Sequence, residues 1–223
     1  MVGDWLGEAF QKGSDNWQSF LMPSLGLSAA LVAMVMLILV PTMLMAGVLG
    51  AVSEELMIGV MVLLVTVCAM GAAFLFSPAL LGFYRGTLAV MRGEGWPAGA
   101  LFSGYSQAFS VWAVTLLSQL LVIGGLMLCF LPGVLVGSLM LFTLPVMADE
   151  RCGPIEAMKR SAELAQPQLW TLTGYWILAN FISSLVTQLP LVGLLLAFPL
   201  QALMVCAPYL ALKRAAQAQP SSA

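Results

Sequence analysis

Asp149 and Glu150, followed directly by Arg151, form the densest cluster of groups in this chain that could act on a substrate. Paired carboxylates can hold a divalent cation or exchange protons with a bound molecule. Consecutive residues point in different directions, however, and no His or third acid lies close by in sequence. A solvated helix end with a local salt bridge is the plainer expectation. Arg85, Arg92 and Glu94 make a second charged set, and a spacing of 7 puts the two arginines on one face of a continuing helix. Their ordinary role is orientation and anchoring; their sharper role is to hold anionic lipid heads. Lys159 and Arg160 extend this list of candidate lipid-head or partner contacts to eight with Asp149, Glu150 and Arg151.

A different chemistry is offered inside the apolar stretches. Asn180, Ser183, Ser184 and Thr187 stand at helical spacing on one face, and Thr115, Ser118 and Gln119 do much the same upstream. Such stripes can wall a polar groove for a substrate or a lipid headgroup. They also serve plain helix packing, because small hydroxylated residues let membrane helices approach and hydrogen-bond, and packing is the stronger expectation. Neither stripe holds an ionisable group, which argues against a proton relay.

Other chemistries lack their residues. The chain has no His, and its four cysteines, Cys68, Cys129, Cys152 and Cys206, are far apart with no CxxC pair. They read as reduced structural thiols, and no metal or other cofactor is expected. Nucleophile motifs and phosphate-cradling glycine loops are missing. A net charge of -2 gives no reason to expect nucleic acid as a partner.

The elements that position these residues follow from solvent. Of the 223 residues, 61% are hydrophobic and only 8% charged. A water-soluble domain carries about 25% charged residues, so lipid must wet most of this surface. Charges fall in clusters at 4–15, 54–55, 85–94, 149–163 and 213–214. The apolar runs between them fit six crossings of about 20 residues each. Gly95–Ala148 alone spans 54 residues without a charge, enough for two helices around Leu131-Pro132-Gly133, and Leu189-Pro190-Leu191 divides the last pair. Six crossings put all 8 basic residues on one side, which the positive-inside rule makes the cytoplasmic side, with both termini.

The expected fold is thus all-α: a polytopic bundle of six transmembrane helices in three hairpins, each preceded by an interfacial amphipathic helix. Residues 2–20 form the first surface helix and 21–84 the first hairpin. A surface segment at 95–110 precedes hairpin 111–148, and a surface helix at 154–166 precedes hairpin 169–212. Residues 213–223 are left as a flexible tail. Each hairpin opens near a Trp (Trp17, Trp112, Trp170) and closes on a Pro (Pro78, Pro145, Pro208), a threefold pseudo-repeat. In the surface helix from Pro154, Glu156–Arg160 and Lys159–Glu163 are i,i+4 pairs.

Gly82-Phe83-Tyr84-Arg85-Gly86, Met91-Arg92-Gly93-Glu94 and Leu101-Phe102-Ser103-Gly104-Tyr105 resemble one stretch of a widespread family. Leu131-Pro132-Gly133-Val134, Pro145-Val146-Met147-Ala148-Asp149-Glu150 and Glu156-Ala157-Met158-Lys159-Arg160-Ser161 resemble a second. The family comprises bacterial multi-pass inner-membrane proteins of unknown function, similar to the membrane domain attached to some glycerophosphodiester phosphodiesterases. The resemblance covers about residues 75–212. It implies a fold and an inner-membrane location, and it supplies no catalytic residues.

The expected function is therefore a non-catalytic membrane module that organises the bilayer, a protein partner or a homo-oligomer through its cytoplasmic face. The alternative is a carrier for a lipid-like or apolar small substrate. Charge sorting makes a direct prediction. With the four native thiols replaced by Ala, Lys159→Cys should resist a membrane-impermeant maleimide in intact spheroplasts, and Glu54→Cys should react. The opposite pattern would invert the topology.

Overall fold

The computed structural model describes residues 3, 5, 7, 11, 17–49, 54–188 and 192–218, and every element among them is helical. α1 runs Trp17–Leu49 and α2 Glu54–Met91. A 3-10 segment, Ala100–Gln107, leads into α3, Ala108–Leu128. α4 (Phe130–Leu139) and α5 (Thr143–Glu150) follow, then α6 (Pro154–Ala165). A short 3-10 turn at Gln166–Gln168 joins α6 to α7 (Leu169–Thr187), and α8 is Val192–Ala218. Among the described residues, five stretches are long and apolar enough to cross a membrane: Trp17–Leu44, Ile58–Met91, Ala100–Leu128, Leu131–Glu150 and Pro154–Thr187.

Packing is uneven along the bundle. The fully buried large side chains include Leu81, Phe83, Met91, Phe142, Met147, Met204 and Tyr209, all near the end where the charges of α2, α5 and α8 gather. Large apolar side chains between Val62 and Leu75, and between Leu117 and Leu131, are mostly exposed. A soluble protein could not leave so much apolar surface uncovered; in a bilayer it faces acyl chains. The N-terminal stretch reaches this core: Trp5 is buried with its ring edge-on to Tyr175 at 5.7 Å. The rest of the expected 2–20 surface helix lies largely outside the described residues.

The segment expected to lie in the interface at 95–110 does something else. Ala100–Gln107 runs back along α2 as the opening of the next apolar stretch. The reason is a seam of small residues. Pro78, Gly82 and Gly86, four apart on α2, meet Gly104, Ala100 and Trp96 in antiparallel order. A Cβ on Gly82 would strike the Ala100 carbonyl oxygen, and one on Gly104 would strike that of Pro78. Backbone-to-backbone approach of this kind is how membrane helices gain van der Waals contact without a hydrophobic drive. Tyr105 locks the register by donating its hydroxyl to the Leu75 carbonyl at 2.9 Å. Gly93 and Gly99, with φ of 85° and 76°, make the reversal between α2 and the seam.

Residues 131–148, expected as one continuous crossing, are broken. α4 stops at Leu139 and α5 restarts at Thr143. A broken helix at membrane depth needs partners for the freed backbone groups, and Ser161 of α6 supplies them. Its hydroxyl donates to the Leu139 carbonyl at 2.6 Å and accepts the Phe142 N–H at 3.2 Å. Ser161 is fully buried. Beside it Ser138 meets Thr173 at 2.9 Å, zipping α4 to α7. The turn from α3 to α4 also moves: Cys129 is the extended residue, and Pro132 and Gly133 sit in the first turn of α4, where Pro is tolerated because no intrahelical N–H bond is lost. The second expected turn, Leu189-Pro190-Leu191, lies outside the described residues.

The seam predicts that Gly82→Ala costs stability out of proportion to one methyl, on the order of 1–3 kcal/mol from overpacking against rigid backbone. Gly71→Ala, whose Cβ would meet nothing within 4 Å, is the control. Thermal unfolding in detergent should separate the two variants clearly.

Candidate functional site

Asp149 closes the last turn of α5, and the left-handed Arg151 (φ 50°) ends that helix abruptly. The Asp149 side chain is 9% exposed. Arg92, from the end of α2, donates to Oδ1. Oδ2 accepts the Tyr209 hydroxyl at 2.9 Å and Lys213 Nζ at 2.7 Å, both from α8. Lys213 also reaches Glu150 Oε1 at 2.8 Å. Arg160 of α6 then joins Glu150 and Glu156, each at 3.2 Å. The result is a chain of alternating sign: Arg92, Asp149, Lys213, Glu150, Arg160, Glu156. It ties four helices together and sums to zero.

The electrostatics follow from burial and partners. Burial alone would pull the Lys213 pKa down, but hydrogen bonds to Asp149, Glu150 and Tyr209 outweigh it and hold the ammonium well above its ordinary value. Its charge also sits 5.6 Å from the Tyr209 ring centroid. Cys152, next along the chain, is pushed up by burial and then by the Glu156 carboxylate. It is a neutral thiol at physiological pH, without the lowered pKa of a nucleophile.

Next to this chain lies a recess of about 320 Å³ between α2, the 3-10 segment and the end of α5. Arg85, Arg92, Glu94, Asp149 and Arg151 line it, so five of the eight charged residues singled out in the sequence converge there. Arg85 is held by its neighbours: Nη1 donates to the Ser103 carbonyl at 2.7 Å, and Nε lies 3.4 Å from that of Ala148. Its Nη2 is buried and finds no partner among the described residues. Glu150 and Arg160 belong to the ion-pair chain, whereas Lys159 is exposed and makes no ion pair with Glu163 among the described residues. The expected Glu156–Arg160 pair is present at 3.2 Å.

The polar stripes divide. Thr115, Ser118, Gln119 and Asn180 come together around a second recess of about 360 Å³, with Tyr84, Thr143, Trp176 and Gln201. Met140, Leu141 and Leu144 also line it, so it opens beside the break between α4 and α5. Ser118 Oγ is buried there without a partner among the described residues. Thr115 and Asn180 satisfy themselves on their own helices, through the Val111 and Trp176 carbonyls at 2.8 Å each. Ser183, Ser184 and Thr187 do not join this recess. Ser184 and Thr187 are exposed and bond back to the carbonyls of Phe181 and Ser184, which is how a lipid-facing hydroxyl is accommodated. Ser183 Oγ is buried and partnerless among the described residues, away from the recess.

Three contributors escaped the sequence: Tyr209, Lys213 and Ser161. Tyr209 and Lys213 are four apart on α8, so their shared face was readable. Their partner was not, since it lies some 60 residues away. No family model, curated protein or solved structure matches this chain.

The two kinds of ion pair should differ sharply in weight. Asp149→Asn leaves two cations facing a neutral amide at a nearly buried position and should destabilise the fold by about 2–4 kcal/mol. Glu156→Gln removes an exposed i,i+4 pair and should cost less than about 0.5 kcal/mol. Detergent thermal denaturation of both variants checks the ranking.

Proposed function

We propose that the chain is a non-catalytic integral protein of the bacterial inner membrane that acts as an embedded scaffold or as a partner- and lipid-binding module. In this reading α8 is the sixth crossing, both termini are cytoplasmic, and the charged end is the working face. One observation carries it: Asp149 and Glu150, the residues best suited to chemistry, are committed to fastening helices rather than presented to a substrate. What that fastening produces is a braced platform. α6 lies on it with Ile155, Lys159 and Glu163 exposed on its outer side, a surface on which a partner or second copy can dock. The likeness of residues 75–212 to the inner-membrane family supports the same location and adds no activity.

The carrier reading keeps one specific support, the polar recess shared by Thr115, Ser118, Gln119 and Asn180 beside the broken helix. Discontinuous helices often border the substrate sites of transporters.

Full-length protein extracted in mild detergent and cross-linked through Lys159 distinguishes the two. The platform predicts a defined oligomer or one enriched partner, lost in Ile155→Glu and retained in Asn180→Leu. A monomer with no specific cross-link would remove the support for a platform. Loss of uptake of a lipid-like substrate in Asn180→Leu, with cross-linking unaffected, would favour the carrier.

A further inference from the structure

The alternating charge chain is neutral, and that leaves a remainder. Arg85 and Arg151 both line the charged recess, and neither forms an ion pair with a carboxylate among the described residues. The two acids in the lining do not cancel them. Asp149 is already shared between Arg92 and Lys213, and Glu94 is exposed at the mouth. Arg85 and Arg151 are close enough for their like charges to act on one another. Two guanidinium groups facing one cavity, with one Nη2 buried and unsatisfied, describe a site short of an anion.

We propose that this recess binds a phosphate group between Arg85 and Arg151, and that the phosphate is the headgroup of an anionic phospholipid. Guanidinium forks suit the tetrahedral oxygens of a phosphate, which can take two parallel N–H bonds from one side chain. Arg85 is pre-positioned for this. Its Nη1 and Nε are oriented by the Ser103 and Ala148 carbonyls, which hold the guanidinium at the wall of the recess with Nη2 still unpaired among the described residues. Depth favours a lipid as the source. Arg85 lies seven residues before Arg92 on α2, roughly 10 Å further toward the bilayer interior. The 3-10 segment that walls the recess also exposes Phe102 (75%) and Tyr105 (44%), rings that an acyl chain could follow. Inorganic phosphate shares the headgroup chemistry but would gain nothing from those rings. This inference rests on the module reading above and specifies its ligand.

Full-length, delipidated protein in neutral detergent provides the test, with bound lipid counted by native mass spectrometry. The probes are phosphatidylglycerol, phosphatidylcholine (whose choline cation would approach the two arginines) and diacylglycerol, which has no phosphate. We expect at least tenfold preference for phosphatidylglycerol over both others, weakening as salt rises. Arg85→Gln/Arg151→Gln should lose that preference by at least tenfold, and Lys159→Gln should keep it. Equal binding of the three lipids by the wild-type protein overturns the proposal without any variant. So does an unchanged preference in the double variant, once thermal unfolding shows that it is folded. Displacement of phosphatidylglycerol by low-millimolar inorganic phosphate would uphold the phosphate site and make the free ion its ligand. Lipid preference without any cross-linked partner or oligomer would sink the platform while leaving this site standing; partners without lipid preference would do the reverse.

Discussion

A carboxylate that is 9% exposed at the edge of a lipid-embedded bundle is expensive unless its neighbours replace the water it has lost. Asp149 replaces it with Arg92 from α2 and with Tyr209 and Lys213 from α8. That requirement fixes three helices relative to one another, because the partners must arrive from different directions at hydrogen-bonding distance. The large buried side chains follow the same geometry. Phe142 and Tyr209 pack with their rings tilted and their centroids 6.0 Å apart, and Met91, Met147 and Met204 are buried in the same core. Away from this end no ion pair braces the helices among the described residues; they meet instead through close backbone approach at Gly125–Gly133 and Gly193–Val186, and much of the surface is apolar and exposed. The charged brace therefore acts at one end.

The break between α4 and α5 is a consequence of bringing Asp149 to that position. A straight helix from Phe130 would carry its polar end along its own axis. The interruption at Met140–Phe142 lets α5 take a separate course toward α2 and α8. The freed carbonyl and N–H then need partners, and a single hydroxyl serves both, since Ser161 can donate and accept at once. This gives α6 a structural reason to be buried along one side, at Ala157, Met158, Ser161 and Ala165, while its other side keeps the charges that join Glu150.

Much of this was legible beforehand. Scarcity of charge implied an all-helical membrane protein, the 7-residue spacing of Arg85 and Arg92 implied a shared face, and the stripes at Thr115–Gln119 and Asn180 contained four residues that do line one recess. Period and composition carry such information because they concern neighbours within one helix. What could not be read was which helix meets which. The burial of Asp149 depends on Tyr209 and Lys213, and the rescue of the α4–α5 break depends on Ser161, about twenty residues later. Gly82 and Gly86, four apart on α2, carry the available sign of a seam, but that spacing does not name Ala100 or Gly104 as what they and Pro78 meet. The segment at 95–110 reads as a surface element because Leu101, Phe102, Tyr105, Phe109 and Trp112 fall on one face at helical spacing. A stripe facing lipid beside a helix and one lying flat in the interface have the same sequence pattern.

The one-sided brace also constrains how the protein can work. A carrier that rocked two halves about a central site would have to separate α2, α5 and α8 at one end in each cycle, exposing Asp149 and leaving Lys213 and Arg92 unpaired. Such a step opposes several charge-assisted hydrogen bonds at once. Movement is cheaper where the structure is loosely packed, along the exposed apolar lengths of α1, α2 and α3 and near the polar recess beside the α4–α5 break. A brace of this kind suits the scaffold reading proposed above, in which Arg85 and Arg151 keep their relation to each other and the lipid proposed between them stays bound.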